Sequence, residues 1–498
     1  MVNTQAAGPI ALGTARGRWV LAAAALGSGM AFLDGTVVNV ALPAMGEDLN
    51  AEISGLQWIV NAYMLMLASL ILLSGSLGDR LGRRKTFLTG VIWFAVASLI
   101  CAVAPNLEVM IAGRVLQGIG GALLTPGSLA ILQTSFRPSD RAKAVGTWSG
   151  LTSVAAAVGP FVGGTLVDSG SWRWIFVLNL PLAAATVLVT LHHIPETRDE
   201  TATGKLDVTG ALLATLGLAG VTFGLISAGD NGFGDPMVLT ALAIGVIGLA
   251  AFVEVERRSS HPILPPGIFA NLRFTGANLV TIAVYGALGT ATFLLVVYLQ
   301  TALGYGALEA GAALLPMTLL MLTLSGYAGA LSEKIGARIH MTIGPLFMAA
   351  GFLLMMMVKP GAGYFTAVLP SVIVLGIGLV CTVAPLTSTV LNAVEDHHAG
   401  VASGINNAIA RTAQLMAVAA IPLAAGITGD SYRDPVAFSD GFQMAMWISA
   451  GLAVAGAVLA WVTLAPGKSP KPPVAEEQHY THCPLVSPPP PVPETTRP

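Results

Sequence analysis

Charged residues are scarce in this chain, 10% of its 498 positions, where a soluble domain carries about a quarter. More than half of the residues, 54%, are apolar, and the mean hydropathy is +0.75. That balance excludes a water-soluble globule and leaves a lipid bilayer as the solvent. The net charge of −2 offers no basic footprint for nucleic acid. Cysteine is nearly absent: Cys101 and Cys381 lie in apolar runs and Cys483 in the C-terminal segment, without pairing or metal-ligand spacing. Neither a disulfide nor a metal site is expected. No phosphate-loop pattern, G-x-x-x-x-G-K followed by Ser or Thr, occurs, so no nucleotide and no other cofactor is expected. No nucleophile, paired carboxylates or metal cluster occupies a cavity position, which argues against an enzyme.

What recurs instead is the apolar run of about 20 residues, enough to cross about 30 Å of hydrocarbon as helix. Fourteen candidate spans lie near 19–42, 57–77, 86–104, 107–132, 143–166, 174–194, 207–228, 237–254, 274–299, 308–330, 340–358, 365–390, 400–425 and 441–464. The first run follows Arg16 and Arg18 but is too long for a signal peptide and lacks a small-residue cleavage site, so it reads as a retained span. Basic residues fall on alternate connections. With the N-terminus inside, the outer loops hold only Arg173, Lys359 and Arg433, and two more, Arg114 and Arg411, lie within spans. The rest are on the cytoplasmic side, as insertion favours. Both termini are therefore expected in the cytoplasm. Arginine outnumbers lysine 17 to 7, which points to a GC-rich bacterial genome.

A repeat is visible after the second and tenth spans. Gly75-Ser-Leu-Gly-Asp79-Arg80-Leu-Gly82-Arg83-Arg84 aligns with Gly329-Ala-Leu-Ser-Glu333-Lys334-Ile-Gly336-Ala-Arg338 at a constant offset of 254 residues. Internal repeats of this kind are the architecture of secondary transporters, with substrate bound near the midplane between the halves. The expected organisation is a cytoplasmic N-terminus (1–18), a six-helix bundle (19–194), two inserted helices with their linkers (195–273), a second six-helix bundle (274–464) and a disordered Pro-rich cytoplasmic tail (465–498).

Four local patterns carry a family resemblance. Gly75-x-Leu-Gly-Asp79-Arg80-x-Gly82-Arg83-Arg84-Lys85 resembles the loop motif of the major facilitator superfamily. Arg114-x-x-Gln117-Gly-x-Gly-Gly in span four resembles its intramembrane arginine motif, and Gly159-Pro160-x-x-Gly163-Gly164 in span five resembles the signature of its antiporters. The stretch from Leu33 to Pro43, which contains Asp34-Gly-Thr-Val-Val-Asn39, resembles an element of the fourteen-span drug:proton antiporters. The resemblance covers about residues 19 to 464 and implies an all-α membrane protein of the major-facilitator fold, two six-helix bundles plus two inserted helices. It further implies a proton-coupled exporter of small amphipathic compounds that works as a monomer in the bilayer. Alternatives are an exporter of one self-made metabolite, an uptake symporter, or a membrane sensor or enzyme that keeps a transporter scaffold.

The residues themselves sharpen this. Asp34 lies about eight residues from the outer end of its span, roughly 10–12 Å deep at helical rise, and Arg114 sits at matching depth in a span that runs the opposite way. A lone charge there costs roughly 2.5–3.5 kcal/mol even on a lenient scale, so each needs a partner or a wet cavity. The pair reads either as a proton-accepting carboxylate under an arginine's control or as a fixed structural ion pair. Asn407, Arg411 and Gln414 share one face of span thirteen by their i, i+4, i+7 spacing, either as a cavity wall or as a polar seam between helices. Asn39, Asn61, Tyr63 and Gln117 are further cavity candidates, and Trp58 reads as an interfacial anchor or a substrate contact. In the repeated loop, positive-inside anchoring explains the arginines but not Gly75, Asp79 and Gly82 among them. Glycines allow close helix approach, and a carboxylate facing basic residues and helix ends makes a breakable latch. The second copy, with Glu333 and Lys334 in place of Asp and Arg, is expected to latch less firmly through Gly336 and Arg338. Pro160 frees a carbonyl in span five, and Gly163 and Gly164 let a neighbour pack at the bend. His397 and His398 read as solvated loop residues.

Overall fold

The computed structural model describes residues 10–198, 206–259, 262–394 and 399–464. Fourteen long helices cross its length: α1 (Ala15–Asp48), α2 (Ile53–Leu81), α3 (Arg83–Ala102), α4 (Leu107–Ser135), α5 (Pro138–Asp168), α6 (Trp174–His193), α7 (Val208–Asn231), α8 (Pro236–Arg258), α9 (Leu272–Thr301), α10 (Ala307–Ser332), α11 (Ala337–Met355), α12 (Tyr364–Asn392), α13 (Ala399–Ala424) and α14 (Pro435–Thr463). Thirteen are apolar enough by composition alone to span a bilayer. The remaining one, α13, carries Asn406, Asn407, Arg411 and Gln414 along its 26 residues. Lys205, His397, His398, Cys483 and the Pro-rich tail lie outside the described residues.

The starts of the helices follow from local chemistry. Asn106, Asp235, Asn271 and Asp434 each accept a hydrogen bond from a backbone N–H of the first turn that follows, satisfying donors that a helix leaves open. Pro138, Pro236 and Pro435 occupy first-turn positions, where the missing N–H costs nothing. Outward-facing side chains such as Leu212, Ile247, Trp447 and Val458 are more than half exposed. In water that surface would aggregate, and against acyl chains it is solvated.

The two halves repeat their packing. In the first, α1 packs on α5 and α6, α2 on α4, and α3 on α4. In the second, α9 packs on α13 and α14, α10 on α12, and α11 on α12. The loop repeat is equally exact in backbone terms: Gly82 (φ +113) closes α2, and Gly336 (φ +103) closes the helix that carries α10 on to Ile335, both in a conformation that favours glycine. Their N–H groups bond back to Gly78 O at 3.1 Å and Ser332 O at 2.9 Å. The inserted pair α7–α8 packs on itself through Gly217, Gly220, Gly245 and Gly248, and α7 lies over the seam where α2 meets α13.

The halves close on each other at the face opposite the one where α1 begins and α14 ends, the terminal face. There Ala307 and Leu308 N–H groups donate to the Asp168 carboxylate at 3.1 and 3.0 Å, Tyr432 donates to Ala51 O at 2.8 Å, and Gln57 donates to Val418 O at 2.7 Å. Between the halves a cavity of about 360 Å³ remains. Its exposed lining residues Thr387 and Asn407 lie toward the terminal face, so the cavity is sealed on one side and reached from the other.

Candidate functional site

Asp34 of α1 and Arg114 of α4 meet inside the first half. Arg114 Nη1 lies 2.5 Å from Asp34 Oδ2, with both side chains 1% exposed. Further hydrogen bonds surround the pair. Arg114 Nε donates to Ile59 O at 2.9 Å, and Nη1 also donates to Gln117 Oε1 at 2.7 Å. Gln117 Nε2 and Asn179 Nδ2 donate to Asp34 Oδ1 at 3.1 and 3.2 Å, and both amides reach Ser98 Oγ. A buried ion pair is tolerable when its other lone pairs and protons are satisfied in this way. The guanidinium also lies 4.6 Å from the Tyr63 ring, a cation–π contact.

The pair does not face the central cavity. Tyr63 does, along with Phe32 and Gly35 from α1, so one aromatic ring separates the buried pair from the cavity. Asn39, Asn61, Asn407, Arg411 and Gln414 all line the cavity. Gln117 does not, which corrects its assignment as a cavity residue: its amide is committed to Asp34, Arg114 and Ser98. Trp58 packs against Phe223 of α7, with ring centroids 6.1 Å apart, rather than into the cavity. Asn61 is fully buried at the wall with neither amide atom hydrogen-bonded, and Gln414 Oε1 is likewise unpartnered. Buried polar groups without partners are rare in folded proteins and mark places where water or a ligand completes the bonding.

The glycine-proline segment of α5 joins three elements. Cβ atoms on Gly159 and Gly163 would collide with Thr36 and Val37 of α1, and one on Gly164 would overlap the backbone of Leu308 in α10. Pro160 O faces Gly311 of α10 just as closely. The segment therefore lets the first half approach the second at the closed face.

The loop after α2 is braced within its own half. Arg83 pairs with Asp79 at 2.7 Å, Arg84 reaches Leu191 O at 3.3 Å, and Arg83 N–H donates to Thr197 O at 2.9 Å. Glu196, which follows α6, accepts from the N–H groups of Arg84 and Lys85 at 3.1 and 3.2 Å and so caps the start of α3. The same carboxylate occupies the space where Gly82 lacks a Cβ. A Cβ on Gly75 would only just touch Pro126 of α4, at van der Waals distance, and Arg80 lies at the end of α2. In the second copy Arg338 stacks 3.9 Å over Trp461, while Lys334 is exposed and Gly336 has open space around it. Nothing is described for the Glu333 side chain.

Sequence reading missed Asn179, Ser98, Glu196 and Asp168. For Asn179 a signal existed, since a lone amide deep in an apolar span needs a partner as Asp34 does. Glu196 and Asp168 sit at helix ends, where an acidic residue ordinarily reads as solvated.

The family model described as Major Facilitator Superfamily matches residues 24–418. The chain belongs to the Major Facilitator Superfamily. Its helical architecture and repeated halves are those of this transporter superfamily, so it is a multi-pass membrane transporter and not an enzyme. Among relatives, the puromycin resistance protein of Streptomyces alboniger is 34% identical over 447 residues, 87% of this chain and 88% of that protein. The tetracenomycin C resistance and export protein of Streptomyces glaucescens is 33% identical over 423 residues, 84% and 78% of the two chains. A methylenomycin A resistance protein of Bacillus subtilis is 33% identical over 449 residues, 90% and 94%. Among solved structures, a POT family transporter in complex with a thioalcohol-conjugated peptide superposes with a TM-score of 0.66 at 14% identity, covering 90% of this chain and 96% of that one. At that identity the likeness speaks for the fold alone.

Proposed function

We propose that this protein is a proton-driven antiporter that exports small amphipathic organic molecules, drugs or antibiotics, across the cell membrane. It acts as a monomer, with both termini and the basic connections in the cytoplasm. The observation that carries the reading is the Asp34–Arg114 pair, fully buried and one ring away from a cavity whose wall holds unpartnered amides. Export is further supported by relatives that are named for antibiotic resistance and export.

The coupling follows from the geometry. A proton on Asp34 removes the charge that holds Arg114, and the pairing of α1 with α4 weakens. Arg114 keeps its bonds to Ile59 O and Gln117 and its contact with Tyr63, so the change reaches the cavity wall through that ring. With the terminal face cytoplasmic, the present conformation is open inward and sealed outside by Asp168, the 51–57 segment and the glycine-proline contact. Substrate enters from the cytoplasm, and inward proton movement through Asp34 drives the return. One elementary charge crossing 100 mV is worth about 2.3 kcal/mol, about 40-fold in concentration at 1.4 kcal/mol per decade.

The test is drug transport driven by a pH gradient in proteoliposomes, parent against Asp34→Asn at equal reconstitution. The mutant keeps the size and polarity of the side chain and loses its exchangeable proton. Uphill transport should vanish while membrane abundance stays normal. Undiminished uphill transport with unchanged pH dependence would make Asp34 structural, and accumulation in right-side-out rather than everted vesicles would make the protein an importer.

A further inference from the structure

Arg411 is the charged residue of the cavity wall, and no carboxylate lines that wall among the described residues. It sits midway along α13, at a depth where a guanidinium requires a partner. Arg114 has such a partner in Asp34. Arg411 has no ion pair or hydrogen bond to a carboxylate among the described residues, and its guanidinium carbon lies 5.7 Å from the ring of Phe32 in the opposite half. Tyr63 and Tyr285 line the same cavity. Asp34 is held by Arg114 away from this aromatic-lined space, and no carboxylate among the described residues faces Arg411 across it. Gln414 Oε1 and the Asn61 amide, unpartnered in the same wall, supply neutral hydrogen-bonding capacity beside it.

We propose that the transported class is acidic: amphipathic molecules carrying a carboxylate or an equivalent anionic group that pairs with Arg411 while their apolar part lies between Phe32, Tyr63 and Tyr285. The inference deepens the exporter reading and rests on it for the word transported, but the recognition it describes is a property of the cavity itself. A guanidinium pairs with a planar carboxylate through two parallel N–H donors, and it repels a cationic amine at the same place. Placement between the halves also fits alternating access, since a molecule bridging α13 to Phe32 touches both moving bodies. An inside-negative membrane potential expels an anion and draws in a proton, so both movements of the exchange cycle run with the field.

The experiment uses three fluorescent probes on one scaffold: dansylaminoundecanoic acid, its primary amide and the corresponding amine. Binding is measured by dansyl emission to the full chain in nanodiscs, with empty nanodiscs subtracted. The parent should bind the acid at least about ten-fold more tightly than the amide, equivalent to about 1.4 kcal/mol, and the amine most weakly. Arg411→Gln should bring the acid-to-amide ratio to about one, and Arg411→Lys should keep a reduced preference for the acid because the charge remains. Equal or tighter binding of the amine by the parent overturns the proposal without recourse to any variant. An acid preference that survives unchanged in Arg411→Gln overturns Arg411 as its source. Acid-selective binding together with absent proton-driven transport would leave this inference standing and remove the exporter reading, so the two fail separately.

Discussion

The two halves share a packing scheme but treat their intramembrane arginines in opposite ways. In the first half Arg114 is closed in by Asp34, Gln117, Ile59 O and Tyr63, with Asn179 and Ser98 completing the carboxylate's surroundings. In the second half Arg411 faces the cavity beside an unpartnered Gln414 oxygen. One arginine is thus bound within its own half, while the other opens on the space between the halves. The arginines stand on helices that the repeat does not equate, α4 and α13, so the difference teaches that halves sharing one packing scheme need not share their intramembrane charges.

Removing each arginine should expose this asymmetry most strongly. Arg114→Ala leaves Asp34 buried without compensation, a change that costs about 3–5 kcal/mol in a packed interior, and should collapse the yield of folded protein by size-exclusion chromatography. Arg411→Ala leaves no orphaned carboxylate and should purify with a thermal midpoint near the parent's, its defect confined to transport. Equal destabilisation by the two would mean that the second half holds Arg411 in a structural role after all.

The next largest effect belongs to the surface between the halves. Gly164→Leu puts a side chain where the Leu308 backbone lies, so α5 and α10 can no longer meet at the closed face. Spin labels at positions 169 and 305 should show a wider distance distribution, with transport lost. Gly146→Ala, on the same helix but with nothing within 4 Å of its added carbon, should retain the parental distances. If Gly164→Leu leaves those distances unchanged, the close approach of α5 and α10 is incidental to sealing.

Much of this was legible before any coordinates. The spans were, because bilayer thickness imposes one length on every crossing, and so was the repeat, because Gly82 and Gly336 keep the same positive-φ role 254 residues apart. The meeting of Asp34 with Arg114 followed from matching depth and the cost of burying either alone. What depth cannot give is rotation about a helix axis. Gln117 and Tyr63 were equally good cavity candidates, yet Gln117 turns toward Asp34 and Tyr63 stands between the pair and the cavity. Glu196 was hidden for another reason: its partners are backbone N–H groups of Arg84 and Lys85, more than a hundred positions earlier, and backbone donors leave no trace in a sequence.

The two copies of the loop should give the smallest and most discriminating effect. Around Gly82 the first copy has a carboxylate cap from Glu196 and the Asp79–Arg83 pair. Around Gly336 the second has an arginine stacked on Trp461 and open space at the glycine. A latch that opens and closes during transport needs contacts strong enough to define a state and weak enough to break in each cycle. Asp79 is 41% exposed in its pair with Arg83, so that pair contributes at most about 1 kcal/mol, equivalent to about five-fold in a rate or equilibrium. Asp79→Asn should therefore slow turnover a few-fold at normal membrane abundance, and Glu196→Gln should do much the same, since the amide oxygen accepts one backbone N–H and loses the charge that suits a helix N-terminus. Lys334→Gln removes an exposed charge with no described partner and should transport at the parental rate. Added salt sharpens the contrast, because an exposed pair is screened over about 10 Å at 0.1 M: parental turnover should approach that of Asp79→Asn as ionic strength rises, while the variant itself barely responds. Parental turnover in Asp79→Asn, or a Lys334→Gln defect of equal size, would reduce both loops to anchors and leave the difference between the two copies without functional meaning.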